Sequence, residues 1–423
     1  MKFWSDPLRR RWIIWGALAT GFLLVNIHRL STAVLSDGLM RLFDITGTEL
    51  GTLHSAFFYI YAPMQIGAGV VADRWGIRRT ATTGLLLMSI AAIAFALSNA
   101  YVVALVARIT IGLGGSIVFI ATLRFCANWY RPGEYGTMNG LTVAVAGVGS
   151  IVATTPLAVT VTALGIQSTL LLLGGLGFVV VVIVWTLTRD TPEKAGLPPL
   201  ENVDSAPPLS LRAVGQNVRT VLGETETWLA GFALFTSSGI NITVLGLWGL
   251  PYIAQVYNRS TTAASTVLMA GSIGLLLGPP LIGRLSDVIG RRTGLMAVSG
   301  SLFTASYALL AITGQPPLWV VGAVFFSVSF LGGGLVLAYT VVQNRHGTAA
   351  SGVAVGTVNA IGFSGAAVFP TVMGALLDTY WTGETVNGVR VYTQFGYRVL
   401  FALAALAGLV SLLCALTLHH RTR

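Results

Sequence analysis

Asn26 and Arg29 stand three residues apart inside an apolar run, so on a helix they share one face, with Phe22 one turn below. A guanidinium offers five donors in a planar fork that matches the oxygens of a carboxylate or phosphate. Setting such a charge in an apolar segment costs on the order of 3 kcal/mol or more, so it is expected to face a partner or a watery path. Within the apolar segments the charges are Arg29, Arg108 and, near the end of its segment, Arg124; no Asp or Glu lies deep in any of them. An arginine without an embedded acid is free to hold a ligand's negative charge, which makes Arg29 the candidate anion-binding residue. The competing reading has Arg29 reaching outward to Asp37 or to a lipid headgroup.

Other polar side chains could complete such a site. His54, Phe58, Tyr61 and Gln65 follow one another at spacings of four, three and four, one stripe along a helix face. Tyr61 and Gln65 would supply directional hydrogen bonds to a ligand, or else satisfy neighbouring helices. Ser237, Asn241 and Trp248 share another face, and Asn359 is a third candidate, although Asn often bridges membrane helices. Arg124 and Asn128 close one apolar segment, where Arg124 either lines a cavity or anchors the helix end. His28 and His54, alone in the apolar segments in titrating near neutrality, are candidate proton-coupling groups or packed histidines. Cys126 and Cys414 stand in apolar surroundings and give neither a disulfide framework nor a metal spacing. With no nucleophile–base set, metal cluster or cofactor motif, an enzyme is not expected.

The elements that must position these residues are membrane helices. Hydrophobic residues make up 54% of the chain and charged residues 9%, and apolar runs of 18 or more recur along its length. The 50 glycines suit helices packed closely in lipid. Twelve spans are expected, from 12–36 to 397–418, and these include 137–162, 227–255 and 317–341. The net charge of +10 could suggest nucleic acid, but 19 of the 25 Lys and Arg fall in the terminal segments and alternate loops that share one face. That is the positive-inside pattern, which places both termini in the cytoplasm and excludes nucleic acid as a partner. The first segment is too long for a signal-peptide core and lacks a cleavage site, so it is expected to be retained. The fold class is therefore an all-α membrane protein. A six-helix bundle over 1–188 and another over 227–423 flank a charged, proline-containing linker at 189–226. Within the linker Leu211, Val214, Val218 and Val221 recur at helical spacing opposite Arg212 and Arg219. This reads as a short amphipathic helix, lying on the membrane surface or simply bridging.

The two bundles repeat each other. Gly69, Asp73, Gly76 and Arg78 recur 214 residues later as Gly283, Asp287, Gly290 and Arg292. Each set closes one apolar segment and opens the next. Arg74 and Arg291 add to the charge, and Pro156 and Pro370 stand at the same offset. Parallel duplication of six spans is the plan of transporters whose halves rock around a central site. In such a hinge the Asp can bond a neighbouring helix N-terminus and pair with Arg, and Gly76 permits a tight reversal. These ten residues are the candidate gate.

The doubled hinge resembles the signature loop of the major facilitator superfamily, and Arg108-Ile109-Thr110-Ile111-Gly112-Leu113-Gly114 resembles its Arg-x-x-x-Gly-x-Gly signature. The resemblance covers essentially the whole chain and implies a secondary transporter working by alternating access, with Arg108 in a structural role. Gly140 to Pro156 has no Gly-Pro pair of the drug-exporter type. The first span, and Arg124-Phe125-Cys126-Ala127-Asn128-Trp129-Tyr130, resemble the organophosphate and organic-anion branches, with Asn128 in place of a His. The seventh span lacks the second basic residue of that branch, which turns the expectation from sugar phosphates to a carboxylate-like anion. A monomer is expected, in the cytoplasmic (inner) membrane, with an anionic substrate and a coupling proton or counter-anion as partners. The alternatives are an exporter of drug- or siderophore-like amphipathic compounds, and a non-transporting membrane sensor of transporter ancestry.

Overall fold

A computed structural model describes residues 6–198, 211–343, 345 and 348–421. The side chains of 7, 68–71, 73, 132, 211 and 348–351 fall outside that description. The chain is almost wholly helical: α1 (Pro7–Leu30), α2 (Thr32–Phe43), α3 (Gly47–Trp75), α4 (Ile77–Leu97), α5 (Tyr101–Trp129), α6 (Pro132–Val152), α7 (Thr155–Leu164) and α8 (Ile166–Leu187) precede the linker. After it come α9 (Leu211–Leu222), α10 (Thr225–Thr243), α11 (Gly249–Val256), α12 (Thr261–Ile289), α13 (Arg292–Thr313), α14 (Leu318–Leu335), α15 (Ala338–Gln343), α16 (Thr348–Thr379) and α17 (Gln394–Arg421). Among the described residues, eleven helical stretches are long and apolar enough to cross a membrane. The 29-residue α3, whose side chains at 68–71 and 73 fall outside the described ones, is also long enough to cross.

Four expected spans are not single α-helices. The first breaks at Ser31, whose hydroxyl bonds the His28 carbonyl and leaves α2 to start afresh at Thr32. The fifth breaks at Ala153 and Thr154, and Pro156 sits in the first turn of α7, where its missing N–H is not needed. The seventh carries a π-helical turn over Val244–Trp248 between α10 and α11. The tenth is interrupted between α14 and α15. Pro370, the counterpart of Pro156, lies inside an unbroken α16, so the repeat in sequence is not a repeat in local backbone.

The all-α expectation is corrected by one element. Trp381–Val386 (β1) and Val389–Tyr392 (β2) form an antiparallel hairpin. Its turn residues, Asn387 and Gly388, take φ of 51° and 77°, the left-handed pair that Asn-Gly adopts in a two-residue turn.

Helices α1–α8 pack chiefly on one another, as do α10–α17. The two sets meet where α3 lies along α16, where α6 and α7 face α12, and where α1 and α2 touch the π turn and α11. The linker helix α9 rests on α16 and α3. Its Val214 clusters with Val353, Val218 and Ile66, and Val221 is buried with Ala230 and Leu234. Its apolar stripe thus covers protein.

Candidate functional site

Tyr61 stands midway along α3, and around it the structure gathers four of the residues singled out in the sequence. Arg29, near the C-terminal end of α1, is 8% exposed and lies beside the Tyr61 side chain. Tyr61 and Gln65 are one helical turn apart, and Gln65 Nε2 donates to the Tyr61 carbonyl at 3.3 Å. Gln65 Oε1 accepts from Asn359 Nδ2 of α16 at 3.0 Å, and Asn359 Oδ1 accepts from the Tyr339 hydroxyl of α15. The result is a polar chain, Arg29–Tyr61–Gln65–Asn359–Tyr339, that starts in one half of the molecule and ends in the other. The Asn359 amide is satisfied by side chains at both ends, and the buried Gln65 amide by Asn359 at its oxygen and by the Tyr61 carbonyl at its nitrogen.

An aromatic seam runs beside it. Phe363 of α16 stacks on Phe58 at 6.2 Å and meets Tyr61 edge-on at 5.1 Å, while Phe57 stacks on Tyr61 at 5.2 Å. Two polar atoms here lack a partner: Arg29 Nε and Asn26 Oδ1 are buried without a hydrogen bond. Asn26 Nδ2 is used on the Phe22 carbonyl. One face of α1 thus offers an open donor on a fixed cation and an open acceptor one turn away.

Arg108 is spoken for. It is 1% exposed and donates to the His28 carbonyl at 2.7 Å, to Thr32 Oγ1 at 3.1 Å and to the Leu53 carbonyl at 3.4 Å. It therefore holds the α1–α2 break against α3. His54 is fully buried against Phe58 and Gly246, and neither ring nitrogen has a partner. His28 is buried at the junction that Arg108 ties.

Other candidates lie elsewhere. Asn241 accepts from Ser329 at 3.0 Å within the second half, and Ser237 bonds the Ala233 carbonyl of its own helix. Trp248 donates to the Pro370 carbonyl at 3.2 Å and meets Tyr392 edge-on, so it belongs to the contact at the end of the molecule away from the basic loops. Arg124 and Asn128 line a separate cavity at the basic end, where Asn128 donates to the Asp190 carbonyl at 3.2 Å.

The two hinges have diverged in structure. Gly76 takes φ of 81° and packs against Asp190, which accepts from the Arg78 N–H at 2.9 Å and so caps α4. Arg74 is exposed, and the side chains of Gly69 and Asp73 fall outside the described ones. In the second hinge Gly290 is left-handed at φ 69°, Gly283 has open space beside it, and Arg291 precedes the first residue of α13. Asp287 faces Arg292 at 3.9 Å, an exposed pair that water and salt screen.

The end opposite the basic loops is closed by a residue the sequence reading passed over. Asp378, near the C-terminus of α16, accepts from the N–H of Gly47 and of Thr48 and from Thr48 Oγ1, at 2.6–2.9 Å. A carboxylate of one half thus caps the N-terminus of a helix in the other. The Tyr392 hydroxyl also donates to Asp378; burial, then the neighbouring carboxylate charge, pushes its phenol up, which keeps the donor protonated. Below this cap a Cβ on Gly51 would collide with the Pro370 carbonyl. Contacts between the halves continue to Gln65–Gly356 and Gly147–Leu276. Toward the basic end Arg74, Trp75, Leu285 and Asp287 are exposed.

A family profile described as Major Facilitator Superfamily matches residues 11–370 and 227–423. A probable sulfoacetate transporter of Cupriavidus necator is 26% identical over 306 residues, 69% of this chain and 68% of that one. A probable L-galactonate transporter of Escherichia coli is 25% identical over 382 residues, 84% of this chain and 80% of that one. Among solved structures, an inward-facing, unoccupied bacterial homolog of the human lysosomal transporter Spinster superposes with a TM-score of 0.74. It is 16% identical, and 98% of each chain is covered.

Proposed function

This chain belongs to the Major Facilitator Superfamily and is a transport protein rather than an enzyme, and from that premise we propose that it is a secondary transporter of a small organic anion. The observation that carries the reading is Arg29, a buried guanidinium with an unpartnered Nε at mid-depth, joined through Tyr61 and Gln65 to Asn359 of the opposite half. A carboxylate or sulfonate oxygen fits that donor, and a hydroxyl or amide N–H on the cargo fits Asn26 Oδ1. Because the polar chain crosses from one bundle to the other, an anion on Arg29 is linked through Tyr61 and Gln65 to Asn359 of the second half, as rocking around a central site requires. The relatives, a probable sulfoacetate transporter and a probable L-galactonate transporter, support this substrate class.

The two bundles, 1–188 and 227–423, move as units about the α3–α16 and α6–α12 contacts, in the cytoplasmic membrane with the basic end and both termini inside. The contacts at the Asp378 end and the exposed residues at the basic end support an inward-facing state. The sites fall to Arg29, Asn26, Tyr61, Gln65 and Asn359, with Tyr339 added. Uptake into proteoliposomes of carboxylates, sulfonates, phosphate esters and neutral sugars tests the reading. Uptake of a carboxylate or sulfonate that falls to background in Arg29→Gln supports it, and uptake of a neutral sugar alone, unchanged in that variant, refutes it.

A further inference from the structure

A cavity of about 910 Å³ opens at the basic end of the first bundle, away from the polar chain at mid-depth. Arg74, Arg78, Arg79, Arg124, Arg189 and Lys194 line it, and among the described residues Asp190 is the only carboxylate that does. Both oxygens of Asp190 are in use, one on the Arg78 N–H at 2.9 Å and the other on Lys194 Nζ at 3.0 Å. Two of the guanidiniums are held by neutral acceptors. Arg78 donates from Nε to the Trp185 carbonyl at 2.7 Å and lies over the Trp185 ring at 4.0 Å. Arg189 donates to the Thr186 and Thr188 carbonyls at 3.0 and 2.7 Å. A carbonyl fixes a guanidinium in place without cancelling its charge, so the cavity keeps a net positive field with positioned donors. Positive-inside loops need only solvated charges; a walled cavity with cations anchored by backbone is a different object.

We propose that this cavity binds a phosphate group, carried by an anionic phospholipid or by a small phosphorylated solute. A phosphate offers several acceptor oxygens to several forked donors at once, which suits this cluster better than a single carboxylate does. Trp75 and Trp185, 59% and 45% exposed at adjoining helix ends, set the cavity at the depth where indoles meet lipid headgroups. Arg124 and Asn128 therefore serve this site and not the central one.

The test is thermal unfolding of the purified full-length protein in neutral detergent, with short-chain phosphatidylglycerol, short-chain phosphatidylcholine, glycerol phosphate or inorganic phosphate as probes. Wild type is compared with the double variant Arg189→Gln/Lys194→Gln, with Arg79→Gln as a milder exposed alternative, and with Arg29→Gln. Phosphatidylglycerol is expected to raise the melting temperature of wild type and Arg29→Gln alike, with an apparent affinity about tenfold weaker in the cavity variants. A response to the lipid alone identifies a headgroup site, and an equal response to glycerol phosphate or inorganic phosphate identifies a solute site. No response to any phosphate beyond that to phosphatidylcholine overturns the proposal. So does an undiminished response in both cavity variants, or one that vanishes in Arg29→Gln.

Discussion

Asn359 Nδ2 donates to Gln65 Oε1 across 3.0 Å, and with that bond a helix of the second half is tied to a helix of the first beside the Tyr61–Phe363 aromatic contact. The pair is positioned so that anything reaching Arg29 through Tyr61 is one side chain from the other bundle. A bond between membrane helices contributes about 0.6 kcal/mol on average and up to about 1.7 kcal/mol. A double-mutant cycle of Gln65→Ala and Asn359→Ala, read from unfolding midpoints, is expected to give a coupling within that range. Strictly additive effects would contradict the contact.

Arg108 donates to three acceptors; its loss removes the donor from Thr32 Oγ1 and from the Leu53 carbonyl, while the His28 carbonyl keeps the Ser31 hydroxyl. Each buried acceptor left without a donor costs about 1–3 kcal/mol, so Arg108→Leu is expected to lower the melting temperature sharply. Arg108→Lys should recover only part of the loss, because one ammonium cannot span the α1–α2 break and Leu53 with the geometry of a fork. A wild-type melting curve for the Leu variant would remove Arg108 from its structural place.

In the proposed alternating-access cycle Asp378 caps α3 while the end opposite the basic loops is closed. Replacing it with Ala removes a helix cap worth about 1 kcal/mol, which moves a two-state equilibrium by roughly fivefold. Asp378→Ala is therefore expected to populate the outward-open state. A cysteine placed beside Thr48 should then react faster with a membrane-impermeant maleimide. Labelling at the wild-type rate counts against the gate.

For the first hinge the prediction rests on the sequence, since the Asp73 side chain falls outside those described. Asp73→Asn is expected to slow transport while leaving membrane insertion intact. Wild-type transport rates in that variant would sink the idea.

Much of this molecule was legible because membrane helices write themselves in long apolar runs, and because the hinge repeats at one offset. Arg29, Tyr61, Gln65 and Asn359 stood out since each is a polar group that an apolar helix does not need. Depth and partner choice were not legible. Trp248 shares a helix face with Asn241, yet donates to the Pro370 carbonyl of the distant helix α16. Asp378 and Asp190 look like surface acids in sequence and act as helix caps in space, because the helices they cap are distant in the chain. The hairpin was signalled by Asn387-Gly388 between alternating residues, but it is a soluble-type signal inside a membrane-type sequence. The breaks at Ser31 and Thr154 depend on which carbonyl a hydroxyl selects, which no pattern records.

The most direct measurement is the binding of the transported anion to purified wild type and Arg29→Gln, read as the shift in melting temperature with concentration. Losing a charge-assisted hydrogen bond worth about 1.5–3 kcal/mol should weaken binding roughly 10- to 100-fold, with Arg29→Lys in between. Equal affinity in wild type and Arg29→Gln would show that the guanidinium does not hold the cargo.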